Sequence, residues 1–414
     1  MKNFKLYILL LLVFGTHKVI NAQNELDLYL KIAAENNPEL KAKFNDYMAA
    51  MEKVPQVSAL PDPQLAFGYF IQTPETRVGP QTWNVSLMQR FPWFGLLKTQ
   101  GDAATEMAKA KYELFEQAKS NLFFEVKTTY YNYYFVVKAI DITKENLSIL
   151  QTLKNYTLIK IEAGKTTIAD QLRVEIEINE VENQLLLLMD KKKDLEVKFN
   201  NLLNKETPLV IPDSLEDSVL LEDFTTILDS IFLNNHQLKS IDFKIASFAE
   251  KEVAAKKMGM PSFSLGIGYT NVGNSNNPML DASENGKDIL MFPSFSISIP
   301  LYRKKYKGMV NEAKYLQEAQ ISSKQNTKNF LNTVFEKVNT DYLDADRRIK
   351  LNNKQYLLAK KALNVLMTAY SADAKDFDDV LRMERLLLKF QLEKEKALAD
   401  KNSSMAFIDY LMGR

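Results

Sequence analysis

The longest feature of the hydrophobic pattern is a helical repeat that continues through two extended stretches. From Lys98 to about Glu162, apolar and aromatic residues recur every three or four positions, without proline and with one early glycine, Gly101. The stretch from Lys304 to Tyr370 has about the same length. At ~1.5 Å per residue each helix would reach about 100 Å, beyond what a compact single-core domain uses. The pattern predicts two very long helices in coiled-coil packing.

Four shorter segments alternate with a period of two. Ser, Gly, Ala, Thr or Asn mostly occupies one side, and large apolar residues occupy the other: Leu65, Phe67, Tyr69 and Ile71; Trp83, Val85 and Leu87; Phe263, Leu265, Ile267 and Tyr269; and Phe295, Ile297 and Ile299. Runs of about 8–10 residues are long enough for tilted transmembrane strands. A large apolar face opposite a small polar face is typical of strands between lipid and a channel lumen. Two soluble hairpins over a core would give the same alternation.

The number of strands sets a condition on the membrane interpretation. Four strands cannot close a barrel, and lipid does not tolerate open sheet edges. We therefore expect several copies to pool their strands. Three chains would form a twelve-stranded barrel, continued by a tube of twelve packed helices. The predicted fold is mainly α with transmembrane β: a long α-helical coiled-coil barrel plus four β-strands per chain in a trimeric barrel.

The same order of elements occurs twice, about 200 residues apart. Asn36-Asn37-Pro38-Glu39-Leu40 recurs as Asn234-Asn235-His236-Gln237-Leu238, and Asp170–Glu175 resembles Asp379–Glu384. Each copy is predicted as helix, β-hairpin, long helix, tight turn and helix. The predicted boundaries are a first repeat over 23–204 with its hairpin at ~64–90 and turn at ~163–167, a linker over 205–221, and a second repeat over 222–414 with its hairpin at ~262–299 and turn at ~371–376.

The N-terminus and the composition narrow the class of protein. Lys2 and Lys5 precede an apolar run and a polar stretch ending at Ala22, which predicts a cleavable signal peptide over 1–22. The absence of cysteine predicts no disulfide and no lipid anchor. Basic and acidic residues number 53 and 52, so no nucleic-acid partner is expected. After cleavage His236 is the single histidine, which argues against a zinc site or a catalytic triad. We expect no enzyme activity, cofactor or metal.

At this point the chain resembles the TolC-type outer-membrane efflux protein family over essentially its whole mature length. The resemblance depends on the duplication, on Gln89-Arg90-Phe91-Pro92-Trp93-Phe94-Gly95 at the end of the second strand, and on the turns near Gly164 and Asp373. It implies a homotrimeric exit duct in the outer membrane, with its helical tube in the periplasm. It also implies two partners, a periplasmic adaptor protein and an inner-membrane pump.

The resemblance also points to the two helix–helix turns as functional sites. The family's periplasmic gate corresponds here to Asp170, Tyr370, Lys375, Asp376, Asp378 and Asp379. Adaptor docking is expected at Ala163, Gly164 and Lys165 and at Ala372, Asp373 and Ala374. Asp373 stands where the family usually has glycine, and Arg382 where studied members have a second aspartate. Acidic residues at a helix start also complement the helix dipole, which is the simpler explanation.

Two other classes remain open from the sequence. A periplasmic adaptor combines helical hairpins with β-structure but needs a domain of many strands, and a coiled-coil scaffold without a pore needs no lipid-facing strands. The 15 methionines form no Met-x-x-Met cluster, so the cargo stays open among drugs, metal ions and secreted proteins.

Overall fold

The computed structural model describes residues 21–220, 223–276, 278–372 and 377–414, so all but the last two residues of the predicted signal peptide lie outside it. The helices are α1 (Asn21–Asn36), α2 (Pro38–Ser58), α3 (Leu96–Glu162), α4 (Ile168–Leu203), α5 (Phe224–Asn234), α6 (His236–Met258), α7 (Arg303–Ser371) and α8 (Phe377–Leu411). The strands are β1 (Gln64–Tyr69), β2 (Glu75–Thr76), β3 (Gly79–Phe91), β4 (Ser262–Val272) and β5 (Ile289–Ser298). Helices α3 and α7 have 67 and 69 residues, as the uninterrupted pattern predicts.

The chain divides into two compact units. The helical unit comprises the described residues of 1–43, 115–238 and 327–414, and the sheet unit comprises those of 44–114 and 239–326. Buried residues of the helical unit form separate clusters along its helices. The cluster beside the helix–helix turns contains Leu150, Leu153, Val174, Val181, Tyr370, Phe377, Val380, Leu381 and Leu388. No helix within the described ranges is long and apolar enough to cross a membrane.

Each predicted helix before a hairpin is in fact two helices, because an asparagine interrupts it. The Asn37 side chain caps α2 by accepting from the backbone N–H three positions later at 3.1 Å, and its amide donates to the Leu202 carbonyl at 3.1 Å. Asn235 does the same for α6, at 3.3 Å, and donates to the Leu411 carbonyl at 3.0 Å. Both asparagines use the side-chain capping that favours this residue at helix starts. The recurring Asn-Asn sequence therefore marks a helix break.

The linker between the predicted repeats is tied to the helical unit by buried polar groups. The Lys401 side chain, 2 % exposed, lies 2.5 Å from Asp217 and 2.8 Å from Asp346. The Tyr342 hydroxyl donates to the Ser218 carbonyl at 3.2 Å. Because these contacts hold residues of the linker to α7 and α8, residues 205–220 are an ordered strap along the described part of this unit.

The sheet unit contains an antiparallel sheet in the order β1-β3-β4-β5, with the short β2 paired to β3. Four of these strands are the predicted ones, and β2 is an addition that the sequence pattern does not indicate. Strand β3 ends at Phe91 and β5 at Ser298, just before Pro92 and Pro300. Proline has no N–H for the ladder, so the chain leaves the sheet there.

The register places the alternating apolar residues on one face of the sheet. Phe67 of β1 pairs with Val85 of β3, and Val85 pairs in turn with Tyr269 of β4. Two positions along the same strands, Leu65 pairs with Leu87. The intervening positions, such as Ala66 opposite Ser86, form a face of small and polar residues. Between Gly266 and Gly268 the pairing of β4 with β5 shifts. The predicted two-faced sheet is therefore present within one chain.

Candidate functional site

The first helix–helix turn ends α3 in a Schellman motif. Gly164 has φ +71°, its N–H donates to the Ile161 carbonyl at 2.9 Å, and the N–H of Lys165 donates to the Lys160 carbonyl at 2.9 Å. Glycine suits this left-handed position because it has no Cβ. No atom lies within 4 Å of the place a Cβ would occupy. Ala163, Gly164 and Lys165 are all exposed, so this turn presents its predicted docking residues at the surface.

Asp170 is held by its own helix. Its carboxylate accepts a hydrogen bond from the Thr166 hydroxyl and forms an ion pair with Arg173 at 3.0 Å. Thr167 is the N-cap of α4 but makes no side-chain capping bond. The hydrogen bonds of Asp170 that the structure describes therefore go to its neighbours in sequence.

Tyr370 lies against Lys160, a residue in the last turn of α3. The Lys160 ammonium is 3.9 Å from the centre of the Tyr370 ring and donates to the Tyr370 carbonyl at 2.5 Å. The Tyr156 ring lies 6.0 Å and the Phe377 ring 5.1 Å from Tyr370. Lys160 is 6 % and Tyr370 4 % exposed, so a buried cation joins α3 to the start of the second turn. Cation–π contacts of this kind are strongest when water is excluded.

Sequence reasoning missed Lys160, although its position carries a signal. Leu150, Leu153 and Thr157 precede it at spacings of three and four and are all buried. A lysine on that helix face lies inside the packing layer, where an ammonium needs a partner. Its partners are 210 residues away in sequence, beyond the reach of a local pattern.

The second turn is described only at its two ends. Asp373, Ala374, Lys375 and Asp376 lie outside the described residues, while Ala372 is exposed at the end of α7. In the first turn of α8, Asp378 is exposed and Asp379 pairs with Arg382 at 2.5 Å. Arg382 therefore offsets part of the acidic charge predicted for this end of the helix.

Farther along α4 and α8 from the helix–helix turns, the helical unit contains two buried carboxyl groups. Glu177, 7 % exposed, is paired with Arg385 at 3.2 Å, and burial raises the pKa of its carboxyl. Glu384 is 3 % exposed, and one of its carboxylate oxygens has no hydrogen-bond partner among the described residues. Burial raises the pKa of Glu384 to about 7. A groove of about 340 Å³ adjoins Glu177 and Arg385.

The second candidate surface is the apolar face of the sheet. Leu65 is 72 %, Phe67 70 %, Phe295 66 % and Ile297 53 % exposed. A monomeric soluble protein rarely exposes a continuous apolar surface of this kind, and such surfaces mark contact with a membrane or another protein. Within the described ranges no group of three or more His, Asp or Glu side chains is arranged to hold a metal ion.

This fold, with very long helices and a two-faced antiparallel sheet, is also the fold of solved outer-membrane channel structures. It is shared with the solved structure of CusC, at a TM-score of 0.77 and 15 % identity over 94 % of this chain and 92 % of that chain. The outer membrane protein VceC of Vibrio cholerae has a TM-score of 0.74 and 15 % identity over 94 % of this chain and 96 % of that chain. The predicted fold class is confirmed.

The sequence comparisons agree with the fold. Residues 29–205 match the family model for outer membrane efflux proteins. The chain is 23 % identical over 301 residues to toxin and drug export protein A of Aggregatibacter actinomycetemcomitans, a match covering 70 % of this chain and 63 % of that relative. The first predicted repeat therefore matches the outer membrane efflux protein family, which confirms the TolC-type resemblance.

Proposed function

We propose that the protein is a passive exit duct of the bacterial outer membrane, assembled from three identical chains. The observation that carries this proposal is the exposed apolar face of the sheet, with a face of small and polar residues behind it. In a shared barrel the first face would contact lipid and the second would line the lumen. The helical unit would extend into the periplasm, which the predicted signal peptide over 1–22 and the family match over 29–205 favour.

The duct would work with a periplasmic adaptor and an inner-membrane pump. The exposed turn at Ala163, Gly164 and Lys165 supports docking there, and we propose the turn at Ala372, Asp373 and Ala374 as its counterpart. Export by way of a pump requires no catalytic centre in the duct, so the proposal includes no enzyme activity. The name of the toxin and drug export relative favours export of toxic compounds as the task.

The test is the native mass of the protein extracted in detergent from fractionated membranes. A trimer in the outer-membrane fraction is expected, with ion conductance in planar bilayers as the next measurement. A monomer in the soluble periplasmic fraction would refute the duct and favour the scaffold without a pore.

We further propose that the turns control the opening of the helical tube. Asp376, Asp378 and Asp379, repeated by trimer symmetry, would form a constriction that attracts cations. Their joint replacement by asparagine should weaken block by multivalent cations in bilayer recordings, and unchanged block would exclude this role. Asp170 would act indirectly, by fixing the start of α4 through Thr166 and Arg173.

Tyr370 and Lys375 would hold the closed state, with Lys160 as the anchor of Tyr370. Lys160→Met keeps the length of the side chain but removes the cation that lies on the Tyr370 ring. Conductance should rise at unchanged trimer mass. Lys154→Met is the matched control, because Lys154 lies on the same helix and pairs with Glu175 at the surface. Equal conductance of both variants and the unmodified protein would show that Lys160 has no part in gating.

A further inference from the structure

Three strand–helix junctions of the sheet unit meet at one groove. The junctions β3–α3, α6–β4 and β5–α7 enclose a volume of about 410 Å³. Its lining includes three cations, Arg90, Lys257 and Lys305, and three aromatic side chains, Trp93, Tyr302 and Tyr306. This combination of charge and aromatic surface has no role in the export pathway proposed above.

The segments that form the groove are basic and contain no acidic residue. Residues 88–101, 253–266 and 298–311 include no Asp or Glu but eight basic residues: Arg90, Lys98, Lys256, Lys257, Arg303, Lys304, Lys305 and Lys307. Lys256 pairs with Glu252 at 2.7 Å. Within the described part of the chain, none of the other seven has a carboxylate partner. Such a concentration of uncompensated cations attracts anions.

The cations of the groove retain hydrogen-bond donors for a ligand. The Arg90 Nε donates to the Ser262 hydroxyl at 3.2 Å, and its two terminal nitrogens have no partner among the described residues. The Lys257 ammonium donates to the Gly95 carbonyl at 3.1 Å and to the Thr99 hydroxyl at 2.7 Å, which fixes its position. A forked guanidinium beside a fixed ammonium is suited to phosphate oxygens.

The groove is continuous with the apolar face of the sheet. Ile299 is 62 %, Leu301 77 % and Tyr302 84 % exposed, immediately after β5, and Phe94 is 78 % exposed after β3. Aromatic residues beside basic ones at the end of an apolar belt are typical of the boundary between hydrocarbon and headgroups. A molecule with a phosphate at one end and apolar chains at the other matches this arrangement.

We propose that this groove binds the phosphate of an anionic glycerophospholipid, whose acyl chains extend along the exposed face of the sheet. The proposal depends on the proposed function, since it places the strand–helix junctions at the membrane surface. A free phosphate ion shares the headgroup chemistry but has no apolar part to contact Ile299 or Leu301, so the lipid is the occupant that the groove favours.

The test is native mass spectrometry of the detergent-extracted full chain, loaded with either a phosphatidylglycerol or a phosphatidylcholine of the same acyl chains. Phosphatidylglycerol should be retained preferentially. The double variant Arg90→Gln with Lys305→Gln should lose that retention about 30-fold, since each basic residue beside an anionic lipid surface is worth about fivefold. The control is Lys193→Gln with Lys198→Gln on α4, two exposed lysines and the same change in charge.

Each outcome decides the proposal. Equal retention of the two lipids would overturn the lipid site, and so would equal retention of phosphatidylglycerol by the two double variants. The duct proposal would still stand if the protein is an outer-membrane trimer. Displacement of the lipid by millimolar inorganic phosphate would show that the groove selects the ion alone, and would also overturn it. A soluble monomer would remove both proposals together, so the two failures are distinguishable.

Discussion

A lysine placed at Phe67 should distinguish a lipid-facing sheet from a soluble one. Phe67 is 70 % exposed in the middle of the sheet, where it pairs with Val85, the central residue of β3. Its ring lies 6.2 Å from the ring of Trp83. The preceding residue, Ala66, is also exposed but belongs to the opposite face, where it pairs with Ser86. Two adjacent positions of one strand therefore sample the two faces.

The expected magnitudes differ widely between the two environments. In water, lysine and alanine at an exposed strand position differ by about 0.5 kcal/mol or less. At the centre of a bilayer, a lysine on the lipid-facing side of a barrel costs about 2–4 kcal/mol. Phe67→Ala and Phe67→Lys lose the same contact with Trp83, worth about 0.5–1.5 kcal/mol, so their difference isolates the charge. A difference of 2–4 kcal/mol changes the folding equilibrium about 30- to 1,000-fold.

The assay is urea unfolding of the protein reconstituted in phospholipid vesicles, followed by the fluorescence of its two tryptophans, Trp83 and Trp93. Phe67→Lys should be about 2–4 kcal/mol less stable than Phe67→Ala, while Ala66→Lys should change stability little, because its ammonium would face a water-filled lumen. If the two lysine variants are equally stable in vesicles, the apolar face does not contact lipid and the membrane interpretation of the sheet is wrong.

Three further predictions concern the helices, each checked by thermal or urea unfolding in detergent. Gly164→Ala should destabilise the protein by about 1–2 kcal/mol, because Gly164 has φ +71°. Gly308→Ala is the control: Gly308 lies inside α7, no described atom is within 4 Å of its Cβ position, and the change should stabilise the protein by about 0.5–1 kcal/mol. Stability changes of the same sign would contradict this reasoning. Lys401→Met should cost about 2 kcal/mol, since it leaves two carboxylates without their buried partner, and a neutral result would show that the strap is held by other contacts. Burial raises the pKa of Glu384 from its ordinary 4.5 to about 7 in the folded protein. Because the folded state therefore holds this proton more tightly than the unfolded state, the protein should lose about 3 kcal/mol of stability as the pH rises from about 4.5 to 7. Glu384→Gln should abolish that dependence, and a dependence retained by the variant would assign it to another group.

The fold was predictable where a feature repeats along the sequence. The period of three to four residues predicts α3 and α7, and strict alternation predicts the faces of four strands, because both signals depend only on neighbouring residues. The helix breaks at Asn37 and Asn235 were missed although the recurring Asn-Asn was recognised. Each break depends on a capping bond and on a carbonyl more than 160 residues away.

The position of the helix–helix turns was predictable from the sequence, but the contacts of their side chains were not. The glycine turn at Gly164 has the expected geometry, since left-handed helix ends favour glycine. The partner of Tyr370 was not predictable, because Lys160 resembles an ordinary lysine in the last turn of a helix until the packing around it is known. Asp170 differs from Tyr370 in this respect, because Thr166 and Arg173, which bind its carboxylate, are its close neighbours in sequence.

The two edges of the sheet have a consequence for assembly. Strands β1 and β5 are its outermost members, and neither has a second strand partner among the described residues. Because the sheet has an even number of antiparallel strands across its width, β5 of one copy can pair with β1 of the next without a parallel step. These edges are different surfaces, so copies joined in this way would associate head to tail and would stop only when the ring closes. Until then each chain would present two unprotected edges, a known route to aggregation, so the strands would be safest if folding and ring closure occurred together.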